Sequence, residues 1–201
     1  MKKRLFALLA ALILAAAISS SCASTVKYAT LGSAEDIISR VVVYCDKWQE
    51  LIGDAFGAHM AVDQDKLKKT QDYHFDMGGN QVATFDLDGI SIDMDSDLNV
   101  YHISIRIGDE PGDITAATSR IAGVINAIGF DFPHDDDEML ARYMNYLTEY
   151  TDFMEKNKEK IAGGSAAFWT VETDNGPLEW SIVSISGRQR ATLENLYFVD
   201  E

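Results

Sequence analysis

The acidic residues between positions 86 and 99 are the ones in this chain whose types and spacing could do chemistry. Asp93, Asp95, Asp97 and Asn99 alternate with other residues, which is the oxygen-ligand pattern of the first half of a calcium loop. Leu98 stands where such a loop needs its glycine and Ser104 where it needs a bidentate Glu. Calcium held by these four residues would therefore be held weakly. The alternative use of the same residues is a solvated turn between two strands, which Asp and Asn favour through local hydrogen bonds. Asp86 and Asp88 stand two apart and could supply an attacking oxygen and a metal clamp. His134, among Asp131, Asp135, Asp136 and Asp137, could face a transition metal or simply complement a helix start. No P-loop, HExxH, GxSxG or paired CxxC is present.

The N-terminus carries a different kind of chemistry. Met1-Lys2-Lys3-Arg4 is basic, Leu5 to Ile18 is an unbroken apolar run, and Ser19-Ser20-Ser21 lead into Cys22. This is a secretory signal peptide, too short in its apolar part to span a bilayer comfortably. Small residues directly before a cysteine resemble the lipobox of bacterial lipoproteins. The resemblance implies that the Cys22 thiol is acylated and becomes the new N-terminus, so that residues 1–22 are signal and anchor. Cleavage after Ala23 is the alternative, and would leave the protein periplasmic or secreted in soluble form.

Phe85-Asp86-Leu87-Asp88-Gly89-Ile90 resembles the first motif of haloacid-dehalogenase-type phosphatases, and Gly108-Asp109-Glu110-Pro111-Gly112-Asp113 resembles that family's late acidic motif. The resemblance implies a metal-dependent hydrolase with Asp86 as nucleophile and Asp88 as general acid, at the end of a buried parallel strand. The residues themselves favour another reading. Asp88-Gly89 is flanked by alternation on both sides, a strong signal for a two-residue hairpin turn. That turn pairs Leu87 with Ile90, Phe85 with Ile92 and Ala83 with Met94 on one apolar face. Asp86, Ser91, Thr84 and Asp93 then share the wet face.

The hairpin extends in both directions. Tyr73, Phe75 and Met77 alternate before Gly78-Gly79-Asn80, and Tyr101, Ile103, Ile105 and Ile107 alternate after Asp95–Asn99. This predicts a four-stranded antiparallel meander whose wet face carries His74, Asp76, Thr84, Asp86, Asp93, His102, Ser104 and Arg106. One helix should precede it and two should cover its apolar face. The first is capped by Ser33, carries Ile37, Ile38, Val41, Cys45, Trp48, Ile52, Ala55 and Phe56 at helical spacing, and stops at Gly57. The second runs Thr115 to Ile128, and the third from Asp136 to Ile161 with Leu140, Tyr143, Leu147, Tyr150 and Met154 inward. Acidic residues open the third helix, lysines close it, and Gly163-Gly164 ends it. A last hairpin, Ala167–Thr173 with Leu178–Ser186, follows, and Leu193–Val199 offers a further strand. The aromatic residues at helical spacing on the third helix read as core, with a ligand groove as the alternative.

The expected architecture is therefore α+β: a two-layer domain of order α-ββββ-α-α-ββ, spanning 33–201 behind a tether of residues 23–32. The element order is loosely similar to that of bacterial secretion-chaperone-like folds.

Charge narrows the partners. The chain of 201 residues carries a formal charge of −15, and without Lys2, Lys3 and Arg4 the 32 acidic residues face only 14 basic ones. Such a surface repels phosphate backbones and anionic headgroups. Nucleic acid is excluded, and membrane attachment falls to the N-terminal lipid. Cys45, between Val41 and Trp48 on an apolar helix face, reads as a buried inert thiol without a disulfide partner. The expected function is an exported cell-envelope binding module with no cofactor, calcium aside, for an envelope protein or a cationic peptide. A metal-dependent hydrolase using Asp86 and Asp88 is the alternative.

Overall fold

The computed structural model describes residues 30–76 and 78–194. Its elements are β1 (Gly32–Ser33), α1 (Ala34–Trp48), β2 (Lys68–Phe75), β3 (Gln81–Leu87), β4 (Ile90–Met94), β5 (Asn99–Ile107), α2 (Pro111–Gly129), α3 (Asp136–Ala162), β6 (Ala167–Val171), β7 (Leu178–Ile185) and β8 (Arg188–Glu194). All strand pairs are antiparallel, and the sheet runs β2-β3-β4-β5-β8-β7-β6, with β1 paired to the start of β5. This is the α+β arrangement that the alternation requires, with helices packed on a sheet. Cys22 and the tail 195–201 lie outside the described residues, as does Met77.

The central hairpin has the expected register. Leu87 faces Ile90, Phe85 faces Ile92 and Ala83 faces Met94, with Asp88 at φ 49° and Gly89 at φ 91° in the turn. Both central residues at positive φ is the condition of a type I′ turn, whose twist suits two antiparallel strands. The parallel core strand that the phosphatase resemblance implies is thus not what these residues form.

Further from that turn the expectations needed correction. Tyr73 and Phe75 are 48% and 73% exposed and do not join the core. Two register shifts break β2 against β3, yet Phe75 still pairs Gln81 in phase with Ala83 and Phe85, so it is exposed because β2 ends the sheet and not because its face is reversed. A third shift, opposite Asp93 and Met94, makes Tyr101 the extra residue, so Val100 takes the core place expected of Tyr101.

Helix α1 continues as a π turn over Gln49–Gly53 before Asp54–Phe56 and the left-handed Gly57. A π turn adds a residue to the helical repeat, which rotates Ala55 and Phe56 off the core. The Gln49 side chain crosses this turn, and its oxygen accepts from the Met60 amide at 2.6 Å. A Cβ on Gly53 would sit 2.0 Å from its amide nitrogen.

The supposed tether is shorter than its sequence suggests. The Leu31 amide donates to Val100 O at 2.7 Å, so the folded part begins before Ser33. Ser33 occupies the N-cap position of α1 but makes no side-chain cap bond. Met60 and Val62, in the stretch between Gly57 and β2, are fully buried.

Helix α2 starts at Pro111, four residues earlier than expected, with the proline in the first turn where its missing N–H costs nothing. On α3 the buried stripe is Met139, Tyr143, Tyr146 and Tyr150. Leu140, Leu147 and Met154 are only half-buried. The last strand exists but begins at Arg188 instead of Leu193. It pairs β5 on one side and β7 on the other, joining the two strand groups into one sheet.

Candidate functional site

Three places gather functional side chains: a cleft at the hairpin end, the open face of the meander, and the free edges of the sheet. The cleft lies at the Asp88-Gly89 turn, has a volume of about 460 Å³, and is lined by Asp88, Arg106, Gly108, Asp109, Glu110, Asp113 and Arg120. The fold thus brings Asp88 together with the acidic stretch 109–113. Asp86 is not among the lining residues; it faces Ser91 across the hairpin.

Asp88 is engaged in structure. Its carboxylate accepts from Lys66 Nζ at 3.1 Å and lies 3.9 Å from the Arg120 guanidinium, whose Nε donates to Asp88 O at 3.1 Å. Partial burial pushes this carboxyl's pKa up, but Lys66, the Asp63 amide and Arg120 together bring it below the usual range. The residue ties the short helical turn Gln64–Lys66 and α2 to the hairpin. That leaves it a poor proton donor at neutral pH.

The candidate calcium ligands fall into two separate hydrogen-bonded groups. Asp93, on β4, accepts from Thr84 Oγ1 at 2.6 Å, and its other oxygen lies 3.2 Å from His102 Nδ1. Burial alone would raise this carboxyl's pKa; the bonds from His102 and Thr84 outweigh it and lower the pKa. The carboxylate sits between hydroxyl and imidazole, so the trio lacks the order a catalytic triad needs.

Asp95 instead accepts the amides of Asp97 and Asn99, each at 2.9 Å, and the Asn99 side chain at 3.1 Å. Burial is the largest single influence and would raise this carboxyl's pKa, but these bonds together outweigh it and lower the pKa. Asp95 and Asn99 meet as turn partners. Among the described residues no three His, Cys, Asp or Glu side chains form a group that could hold a metal ion.

His134 and its acidic neighbours cap α3. The Asp135 carboxylate accepts the Glu138 amide at 2.9 Å while Glu138 accepts the His134 amide at 3.1 Å, and Asp136 pairs with Lys47 at 3.0 Å. These are the reciprocal bonds of a capping box, shifted by one residue at its N-terminal end. Cys45 is fully buried, 3.7 Å from Ser119 O, and burial pushes its thiol up to about 12. It is no nucleophile.

The sheet edges are the feature that motif reading missed. Strand β2 carries Lys68, Lys69 and Asp72, has two register shifts and buries none of its side chains. Strand β6 is Ala-Phe-Trp-Thr-Val, pairs β7 without a shift and carries no charge. Its Phe168 is 55% exposed, while Ala167, Trp169 and Val171 are buried. An uncharged, regular edge without proline is the kind that accepts another strand. The signal was present in the uncharged pentapeptide, but only the strand order shows that it ends the sheet formed by the described residues.

Comparison of the chain with protein-family models, with curated proteins and with solved structures found no match.

Proposed function

We propose that this chain is an exported, lipid-anchored binding domain that takes an extended, cationic segment of an envelope protein onto the free edge of β6. The single observation that carries this reading is the contrast between a guarded β2 edge and an unguarded β6 edge in the same sheet. An added strand would use the unpaired backbone groups of β6 for affinity and its side chains for specificity. Phe168 offers apolar contact. On the same face Glu179 stands opposite Thr170, and Glu172 follows the strand, so lysine or arginine on the guest segment is favoured. The excess of 32 acidic over 14 basic residues left after residues 1–22 are gone speeds encounter with such a segment. Attachment to the membrane rests on Cys22, since no helix among the described residues is long and apolar enough to cross one.

The test is calorimetric titration with a seven-residue peptide alternating valine and lysine. Saturable, salt-sensitive binding is expected, and methylating the alternate backbone nitrogens that face β6 should abolish it. Phe168→Lys should weaken it at least about tenfold by placing like charge on the edge. Binding that survives methylation of each alternate set of nitrogens in turn would rule out strand addition. Cys22→Ser should separately move the protein from the membrane to the soluble fraction; a wild type already released by osmotic shock would refute the anchor.

The convergence of Asp88 with residues 109–113 in one cleft is what favours the competing hydrolase reading. Magnesium-dependent turnover of a phosphomonoester, lost on Asp86→Asn with the fold intact, would establish it in place of the binding module.

A further inference from the structure

Six arginines follow the first 22 residues of the chain, and they divide into two kinds. Arg40 donates to the carbonyls of Asn126 and Phe130, Arg120 to the Asp88 carbonyl, and Arg142 to Glu138 and the Asp131 carbonyl. Arg106, Arg188 and Arg190 are exposed and make no hydrogen bond or ion pair with any described residue. The chain holds 32 acidic residues that could pair them, yet the fold keeps these three apart from all of those it describes.

All three stand on the open face of the sheet, away from the helices. Ile105 and Ile107 beside Arg106, and Ala191 beside Arg190, are buried in the core, and the period of two turns the arginines the other way. Arg106 lies directly across from Arg190. Directly opposed residues on antiparallel strands have Cβ atoms roughly 5 Å apart, and like charges there destabilise the pairing. Arg188 comes two residues before Arg190, which makes it the diagonal neighbour of Arg106. Its place is set by the two-residue turn Ser186-Gly187, with φ of 53° and 79°. Backbone pairing thus brings three guanidinium-bearing positions within reach of one another.

The carboxylates of this face stand off. Ser91, Ser104, Thr192 and Ser181 form the next row across β4, β5, β8 and β7. Asp86 joins that row only on β3, two strands from Ser104. With strands roughly 5 Å apart, that separation is about 10 Å, beyond the screening length of physiological salt. Asp109 and Glu110 line the hairpin-end cleft together with Arg106 but form no ion pair with it. The local charge is therefore positive on a negative molecule.

We infer that Arg106, Arg188 and Arg190 form a binding site for a compact dianionic oxyanion, either inorganic phosphate or the phosphate of a small monoester. A guanidinium presents a fork of donors and no acceptor. A carboxylate has two oxygens and satisfies one such fork, whereas the oxygens of a phosphate can accept from several. A bound dianion replaces the repulsion between Arg106 and Arg190 with attraction to both. A polyanion is disfavoured, because its flanking charges would extend over Asp86, Asp109 and Glu110. The site depends neither on the β6 edge nor on the anchor at Cys22.

The experiment titrates the full chain by calorimetry at low ionic strength with inorganic phosphate, glycerol phosphate and acetate. Saturable millimolar binding of a phosphate probe is expected, with acetate at least about tenfold weaker. Tighter binding of glycerol phosphate would assign the site to a monoester, and tighter binding of inorganic phosphate to the free ion. Arg106→Gln and Arg190→Gln should each weaken binding at least about fivefold with the circular dichroism unchanged. Lys156→Gln makes the same change of net charge at an exposed position on α3 and should leave the affinity unaltered. The absence of saturable heat in the millimolar range from both phosphate probes would overturn the inference. So would acetate binding as tightly as phosphate, or Lys156→Gln costing as much as the arginine substitutions.

Discussion

Strands β2 and β6 end the same sheet and solve the problem of an unpaired edge in opposite ways. Strand β2 contributes nothing to the core: its tyrosine and phenylalanine point to solvent, and Lys69 lies 5.1 Å from the Tyr73 ring and 5.9 Å from the Phe85 ring, partly covering the sheet beneath. Lysines and register shifts keep another chain from pairing with it. Strand β6 is bound into the core by every second residue. Trp169 faces Trp180 on β7 and packs against Tyr150 and Phe153 of α3, with ring centroids 5.4 and 6.0 Å apart. The difference teaches that edge protection and core contribution trade against each other. A strand that must alternate apolar residues inward has fewer places for guarding charges.

The largest expected effect tests that division directly. Trp180→Ala empties a fully buried site behind β6 and should destabilise by about 3–5 kcal/mol, whereas Phe75→Ala on β2 should stay within about 0.5 kcal/mol. Urea denaturation of the two variants measures both, and equal costs would erase the distinction between the edges.

The next effect lies in the hairpin that carries β2. Gly89 sits at φ 91°, so Gly89→Val forces a β-branched residue into a left-handed backbone and should cost about 1–3 kcal/mol. A cost below 0.5 kcal/mol would mean that the turn is not what sets the register.

Acid should reach the β2 side through Asp88. Its folded-state pKa is lowered by Lys66, the Asp63 amide and Arg120 against the cost of partial burial. The stability it contributes is therefore present above the unfolded pKa of about 4 and is lost as pH falls through the lower folded value. Asp93, held by His102 and Thr84, adds a loss of the same sign in the same range. Asp88→Asn should flatten the dependence of unfolding free energy on pH below about 4. An unchanged acid limb would show that the link from Gln64–Lys66 to the hairpin carries no net stability.

The smallest effect on stability, and the sharpest on behaviour, comes from exchanging the guards. Lys68→Val with Lys69→Val should leave monomer stability within about 0.5 kcal/mol per site while promoting concentration-dependent self-association in sedimentation velocity. Phe168→Lys should suppress any association that the wild type shows. Monomers in every case would mean that lysine guards nothing here and that the register shifts suffice.

Local signals determined a large part of this protein. The Asp88-Gly89 turn and the alternation beside it specify the register of β3 and β4, because a two-residue turn leaves one pairing that keeps every apolar side chain on one face. Helical periodicity with Gly57 and Gly163-Gly164 as stops located α1 and α3, and the burial of Cys45 followed from its apolar neighbours. The signal peptide and the lipidation reading at Cys22 rest on the first 22 residues alone.

Other features were decided by tertiary contacts. The shift that replaces Tyr101 by Val100 inserts one residue, and a period of two cannot reveal where its own phase breaks. The Gln49 side chain that crosses the π turn bonds to Met60, eleven residues away. Which carboxylates meet was likewise invisible. Asp93 and Asp95 share a spacing pattern but are separated by their partners, and Asp88 joins residues 109–113 only because α2 begins beside the hairpin end. The identity of the edge strands depends on β8 pairing with β5. That contact spans some ninety residues of chain, and no local pattern encodes it.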